Sequence, residues 1–380
     1  MSSSRWLAVF AAALVLVLGL AACGGSDSSS SSSSTETSES SGENESGGAP
    51  SAEVSGEIAG AGSTAQQAAQ EAWIAEFENA NGGATLSYDG VGSGGGREQF
   101  ISGGVAFAGS DTPLSEDEGE LGKAVKRCEP GELVEVPNYI SPIAIVYNLP
   151  GVEELKLDPE LLAQIFNQEI ENWNDPAIEA DNPGVELPDL RIVPVNRSDE
   201  SGTTENFTDY LSQVAPKVWT HEVSGEWPVK GGEAASGTSG VIEAVSAGEG
   251  AIGYADASQA GELGKALIKV GSTWAEPSAE AAAKVLDLSK EDPELEAGKS
   301  VIAFEIDRKT EASGVYPIIL VSSLIGCTKY KSADEAALVK AYFEYAISPE
   351  GQALAEEQAG SAALSSALTK KVEAAVEAIE

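Results

Sequence analysis

The sequence predicts an α/β protein built as two lobes, and three observations carry that expectation. From Glu57 onward, short β-rich runs alternate with helical periodicities, the order that builds sheets flanked by helices. At 380 residues and 42% hydrophobic content, the chain is long enough for two lobes with real cores. Leu133–Asn148 is a long extended stretch that Pro142 should break, a suitable place for the chain to cross between lobes.

The elements follow in order. Glu57–Ala61 reads as a strand and Thr64–Ala80 as a helix that buries Trp73 and Phe77 at i, i+4. Thr85–Gly90 and Val105–Gly109 read as strands, with a short helix around Gln99, Phe100 and Ile101 between them. Beyond the crossing come a helix at Pro159–Phe166, a strand at Arg191–Asn196, helices at Thr203–Val214 and Thr238–Ala247, and a strand at Ala251–Tyr254. Residues 275–300 are Ala/Glu-rich and read as a surface helical insertion, and Tyr316–Ser322 as an apolar strand returning to the first lobe. Ser332-Ala333-Asp334-Glu335 is a capping box before a periodic helix carrying Leu338, Tyr342, Phe343 and Ile347.

Residues 1–22 read as an export signal: Arg5 supplies the positive flank, and Leu7 to Leu20 is apolar but short for a membrane span. Leu20-Ala21-Ala22-Cys23 resembles the lipobox of bacterial lipoproteins, which makes Cys23 the acylated first residue of the mature chain. Residues 23–56, rich in Ser, Gly and Glu, then form a flexible stalk. With Cys23 so used, Cys128 and Cys327 remain, and outside the cytoplasm the even remainder suggests one disulfide, two free buried thiols being the alternative.

The formal net charge of −39 argues against nucleic acid or an anionic membrane surface as partner. An anion would have to be held by local dipoles. The single histidine, His221, has no neighbouring His or Cys for a metal cluster and reads as a surface residue. No Gly-x-Ser-x-Gly elbow occurs, so a Ser-His-Asp hydrolase is not supported.

Three segments nevertheless look made for an oxyanion. Gly60-Ala61-Gly62-Ser63-Thr64 opens one helical pattern, and Gly92-Ser93-Gly94-Gly95-Gly96-Arg97 opens another. Arg197-Ser198-Asp199-Glu200-Ser201-Gly202-Thr203-Thr204 joins a guanidinium, hydroxyls and a glycine turn to a third. Helix N-termini offer unpaired N–H groups and a positive dipole end, and Arg matches a tetrahedral oxyanion in bidentate geometry. Asp111, in Gly109-Ser110-Asp111-Thr112-Pro113-Leu114, is either a helix N-cap or a site residue. In the second role it tolerates only an anion that brings a proton.

These motifs, together with Ile165-Phe166, Trp173-Asn174-Asp175-Pro176-Ala177-Ile178 and Gly250-Ala251-Ile252-Gly253-Tyr254, resemble in kind and order those of the phosphate-binding proteins of phosphate ABC transporters, over about residues 57–360. The resemblance implies an α/β, two-lobed periplasmic-binding-protein fold (type II), each lobe a mixed sheet flanked by helices, with the ligand in the inter-lobe cleft. Lobe 1 would comprise 57–141 plus 316–380 and lobe 2 142–315, with the hinge near Pro137–Pro142 and Val315–Tyr316. It implies phosphate binding by Thr64, the N–H of Ala65, Ser93, Arg197, Ser201, Gly202 and Thr203. Ser63 would border the site, Asp111 would accept the phosphate proton, and Asp199 would hold Arg197. Two positions depart from the family pattern: Ala65 replaces a frequent aromatic, and Glu200 replaces a common Gly, its charge expected to point to solvent.

The resulting expectation is a monomeric, extracytoplasmic, lipid-anchored receptor. It binds inorganic phosphate without altering it, uses no cofactor or metal, and delivers the ligand to the permease subunits of a phosphate ABC transporter. The alternatives are a secreted phosphoester hydrolase using Ser93 or Ser201, and a receptor for another tetrahedral oxyanion such as sulfate or molybdate.

Overall fold

A single long strand, Leu133–Tyr147, organises the molecule, and all fifteen of its residues are buried. Such a strand needs cover on both faces, which its near-continuous apolar sequence supplies. The structure is a computed structural model that describes residues 54–116, 119–292 and 298–380. The expected signal peptide, Cys23 and the stalk as far as residue 53 lie outside the described residues. The stalk's last two residues are not stalk: Ser55 and Gly56 already belong to the first strand.

Nine strands make the main sheet. They are β1 (Ser55–Gly62), β2 (Gly83–Gly90), β3 (Phe107–Ser110), β4 (Leu133–Tyr147), β5 (Val193–Arg197), β6 (Glu233–Ala235), β7 (Ala251–Asp256), β8 (Gly264–Lys265) and β9 (Ile319–Cys327). Their order is β2-β1-β3-β9-β4-β7-β5-β6, with β8 also on β4. Strands β1, β2 and β3 run parallel, as do β5, β6 and β7, while β4 and β9 are antiparallel to their neighbours. Mixed pairing of this kind, with helical crossovers between the parallel strands, is the two-lobed α/β arrangement the sequence predicts.

Strand β4 does not break at Pro142. From Leu133 to Pro142 it pairs with β9, and from Ile143 to Tyr147 with β7, so Pro142 sits where the chain changes partners and one missing N–H is tolerated. Strand β9 is longer and later than the 316–322 expectation. Tyr316, just before it, is buried and donates its hydroxyl to the Ile143 carbonyl at 2.9 Å.

Helix α1 (Gln67–Ala80) starts three residues later than its periodicity suggests, because the Ala65 N–H goes to Ser63 Oγ at 3.0 Å in a turn. Trp73 and Phe77 are buried on its inner face, and Trp73 Nε1 donates to the Gly351 carbonyl. Helix α2 (Ser93–Ser102) begins inside the glycine run. A Cβ on Gly96 would lie 2.3 Å from Gly62 Cα, so the glycine lets this helix press against the end of β1. Helix α3 (Leu121–Cys128) is tied to β9 by a disulfide from Cys128 to Cys327, with Cα atoms 5.2 Å apart.

Two further expectations are corrected. Within residues 275–300, helix Ala279–Leu288 is no detached insertion: Ala282, Val285 and Leu286 are buried in the core, and Lys290–Glu291 pairs with Phe304–Glu305 beyond it. His221 is half-buried rather than a plain surface residue, with Nε2 3.0 Å from Asn167 Oδ1 and its ring edge-on to Trp219. The cap on helix Ala333–Ile347 forms through Ser332 Oγ, which accepts the Glu335 N–H at 3.1 Å.

Candidate functional site

The residues singled out from the sequence sit at the carboxyl ends of parallel strands and at helix starts, where α/β folds place their ligands. Ser63, Thr64 and Ala65 follow β1, and Asp111 follows β3. Ser93 is the first residue of α2, and Arg197 is the last of β5. Ser201 caps helix α4 (Gly202–Val214), its Oγ accepting the Thr204 N–H at 3.2 Å, and Gly202 and Thr203 form its first turn. First-turn N–H groups have no acceptor inside the helix and stand available to an anion. None of the eight non-glycine residues is more than 6% exposed.

The structure brings them to one place. Ser93 Oγ accepts the Asp111 N–H at 3.1 Å, and Thr203 Oγ1 donates to Asp111 Oδ2 at 3.0 Å. A Cβ on Gly202 would fall 2.7 Å from Ser93 Oγ and 2.8 Å from Asp111 Cβ, so only glycine allows α4 to close on that pair. Thr64 Oγ1 lies 3.0 Å from Thr238 Oγ1 and accepts the Thr238 N–H, also at 3.0 Å. The Ala65 N–H, expected to face a ligand, is engaged by Ser63 Oγ. Any ligand bond from it would compete with that turn.

Arg197 is buried, and its Nε donates to Asp199 Oδ1 at 2.8 Å while Nη2 donates to Asp199 Oδ2. That leaves Nη1 for a ligand oxygen. Burial alone would raise the Asp199 carboxyl, but the hydrogen bond and charge of Arg197, with the N–H of Gly237, hold it below the ordinary carboxylate range. Asp199 therefore stays ionised, and its two bonds fix the guanidinium in one orientation. Behind it, Tyr254 accepts the Arg197 N–H at 3.2 Å, shares a hydrogen bond with Thr204 Oγ1 at 2.8 Å, and packs among Phe166, Phe207 and Trp227.

Several functional neighbours escape the sequence reading. Glu200 stays partly open to solvent, its side chain 40% exposed, but Oε1 also accepts from Arg97 Nη2 at 2.8 Å, joining the loop before α4 to helix α2. Arg97 is itself buried and also donates to Glu120 Oε2 at 2.6 Å and to Thr112 Oγ1 at 2.9 Å. Thr112 Oγ1 donates to Glu205 Oε2 at 2.9 Å, and Asn206 Nδ2 donates to the Asp111 carbonyl at 2.8 Å. Thr238 was legible, since Gly237-Thr238 repeats the Gly-hydroxyl helix start of the other three segments. The carboxylate partners of Arg97 were not, because they lie 23 and 103 residues away. Among the described residues no group of three His, Cys, Asp or Glu is placed to hold a metal.

Hydroxyls, first-turn N–H groups, one clamped guanidinium and one buried carboxylate, gathered at strand ends of a two-lobed α/β fold, are the groups of an oxyanion receptor. A PBP superfamily domain model matches residues 47–350. The chain is 35% identical over 337 residues to phosphate-binding protein PstS2 of Mycobacterium bovis, covering 85% of this chain and 87% of that protein. It is 36% identical over 310 residues to phosphate-binding protein PstS 3 of Mycobacterium leprae, 81% of each. Its fold is similar to that of the periplasmic phosphate-binding protein PfluDING, with a TM-score of 0.68 at 23% identity over 84% of this chain and 93% of that one. It is also similar to a phosphate-binding protein from Stenotrophomonas maltophilia, with a TM-score of 0.64 at 20% identity over 84% and 93%. The chain belongs to the PstS family of phosphate-binding proteins within the PBP superfamily.

Proposed function

We infer that this protein binds inorganic phosphate in the cleft between its lobes and delivers it, unaltered, to the permease subunits of a phosphate ABC transporter. The observation that carries the reading is the meeting of Asp111 with Ser93, Gly202 and Thr203, beside an arginine whose charge is already balanced by Asp199. Thr64, Ser93, Ser201 and Thr203 supply hydroxyls, Ala65, Gly202 and Thr203 supply N–H groups, Arg197 Nη1 supplies the charged contact, and Asp111 accepts the phosphate proton. Ser63 borders the site. Many neutral donors in a dry cleft do the binding, so a net charge of −39 is no obstacle. Lobe 1 comprises residues 57–141 and 316–380, lobe 2 residues 142–315, and the ligand lies where they meet.

Calorimetric titration with phosphate, arsenate and sulfate at neutral pH tests this. Phosphate and arsenate carry a proton that Asp111 can accept, whereas sulfate offers none and presses an oxygen against a buried carboxylate. A site built around a required hydrogen bond rejects the analogue lacking it by about four orders of magnitude. Sulfate binding as tight as phosphate binding would end the proposal.

The receptor acts as a monomer held at the outer face of the membrane through acylated Cys23, which the Leu20-Ala21-Ala22-Cys23 sequence supports. Each buried acyl methylene contributes about 0.8 kcal/mol, so anchoring depends on the modified cysteine. Cys23→Ala is expected to move the protein from the membrane fraction to the soluble fraction. Retention on membranes after a salt wash refutes the anchor.

A further inference from the structure

Asp111 has two carboxylate oxygens, and they are treated differently. Oδ2 accepts from Thr203, a residue of the ligand set, whereas Oδ1 accepts from Ser322 Oγ at 2.5 Å. Ser322 comes from β9, 211 residues further along the chain, and is fully buried.

The backbone sets this meeting in two ways. Strand β9 pairs with β3 from Ile325 opposite Ala108 to Ser323 opposite Ser110, so Ser322 is the first residue past the end of β3, alongside Asp111. On its other edge the register with β4 shifts between Ser322 and Ser323, which face Tyr139 and Pro137, leaving Asn138 as an extra residue. A bulge of this kind re-aims side chains, and such bulges concentrate beside functional sites.

A serine hydroxyl carries one proton, and that of Ser322 is committed to Oδ1. It is therefore no donor to the ligand. We propose that Ser322 is a positioning residue that determines anion specificity: its fixed donation to Oδ1 turns Oδ2 toward the protonated oxygen of a tetrahedral oxyanion. When such an oxygen donates to Oδ2, the Thr203 hydroxyl is released to donate to another ligand oxygen. Without Ser322, Oδ1 is a buried acceptor with no side-chain donor, and the carboxylate loses the contact that fixes its rotation. An Asp111 so misplaced accepts the ligand proton less well, and the advantage of an anion that carries a proton over one that carries none shrinks. The inference rests on the reading of Asp111 as acceptor of the phosphate proton.

The test is competitive titration of phosphate and sulfate into wild-type, Ser322→Ala and Ser322→Thr proteins at neutral pH, with urea midpoints to show that each variant is folded. Loss of a hydrogen bond to a charged group is expected to lower the phosphate-over-sulfate affinity ratio of Ser322→Ala by about ten- to a hundredfold, and Ser322→Thr, which keeps the hydroxyl, to restore most of it. A merely structural serine would change stability and leave the ratio alone. If folded Ser322→Ala keeps the wild-type ratio, the assignment of Ser322 fails while the phosphate reading stands. If the wild type itself shows no preference for phosphate, both fail.

Discussion

Replacing Cys128 and Cys327 together by alanine removes a covalent tie between α3 and β9 that spans 199 residues of sequence. On the chain-entropy model, closing a loop of that length destabilises the unfolded chain by about 5 kcal/mol, a large share of a typical domain's total stability. The native side of the balance changes little. Alanine at two buried positions strands no hydroxyl, and Arg127, whose Nη1 lies 2.8 Å from Cys327 Sγ, keeps the carbonyls of Phe100 and Val105 at 2.5 and 3.0 Å and the Phe100 ring 4.1 Å away. The unfolding midpoint in urea should fall by about 1.5–2 M if m is near 3 kcal/mol/M, and m should rise because the untied chain exposes more surface. Fluorescence and far-UV circular dichroism traces that coincide license the two-state analysis. Phosphate affinity should be unchanged, since the residues of the site keep all their partners. An unchanged midpoint with unchanged m refutes the reasoning. A large loss with lower m refutes the unfolded-state mechanism alone.

Arg197→Lys keeps the charge but loses the planar fork that meets Asp199 and leaves Nη1 for the ligand; calorimetry should show phosphate affinity falling by about ten- to a hundredfold, and wild-type affinity in the variant counts against Arg197 as the clamp. Glu135 is buried on β4 with Oε1 accepting the Leu114 N–H at 3.2 Å, and burial pushes its carboxyl from 4.5 up to about 8, an effect that this hydrogen bond and Arg97 offset in part. A raised acid holds its proton in the folded state, so its stabilising contribution is complete below pH 4.5 and is lost as pH rises through about 8. Glu135→Gln should therefore lose less stability than the wild type between pH 5 and about 9 in urea titrations, and parallel profiles would show that Glu135 does not titrate in this way.

Much of the site was legible because its chemistry is local. A glycine turn, a hydroxyl and a helix start fit within five residues, and three such segments are visible without any knowledge of the fold. What they lacked was each other. That Gly202 must be glycine because Ser93 and Asp111 lie against it depends on contacts 91 and more residues apart in sequence, which no periodicity records. The ion pair of Glu200 was missed for the same reason, since Arg97 lies 103 residues away, although the carboxylate is also partly solvent-facing. Among the strands, Pro142 misled: its missing N–H argues for a break, yet the change of partner from β9 to β7 falls at that residue and makes the loss harmless. The start of α1 shifted by three residues because Ser63 Oγ took the Ala65 N–H.

The sharing of β4 between both halves of the sheet limits how the protein can move. Two sheets held together by packing alone could slide along one another, but a continuous ribbon of fifteen buried residues belonging to each does not stretch. The coordinates that remain are bend and twist about the ribbon, where Pro137 and Pro142 each withhold one N–H from the ladder. A ribbon so tied leaves few backbone dihedral angles free between the two halves of the sheet, and the entropy of ordering them is correspondingly small.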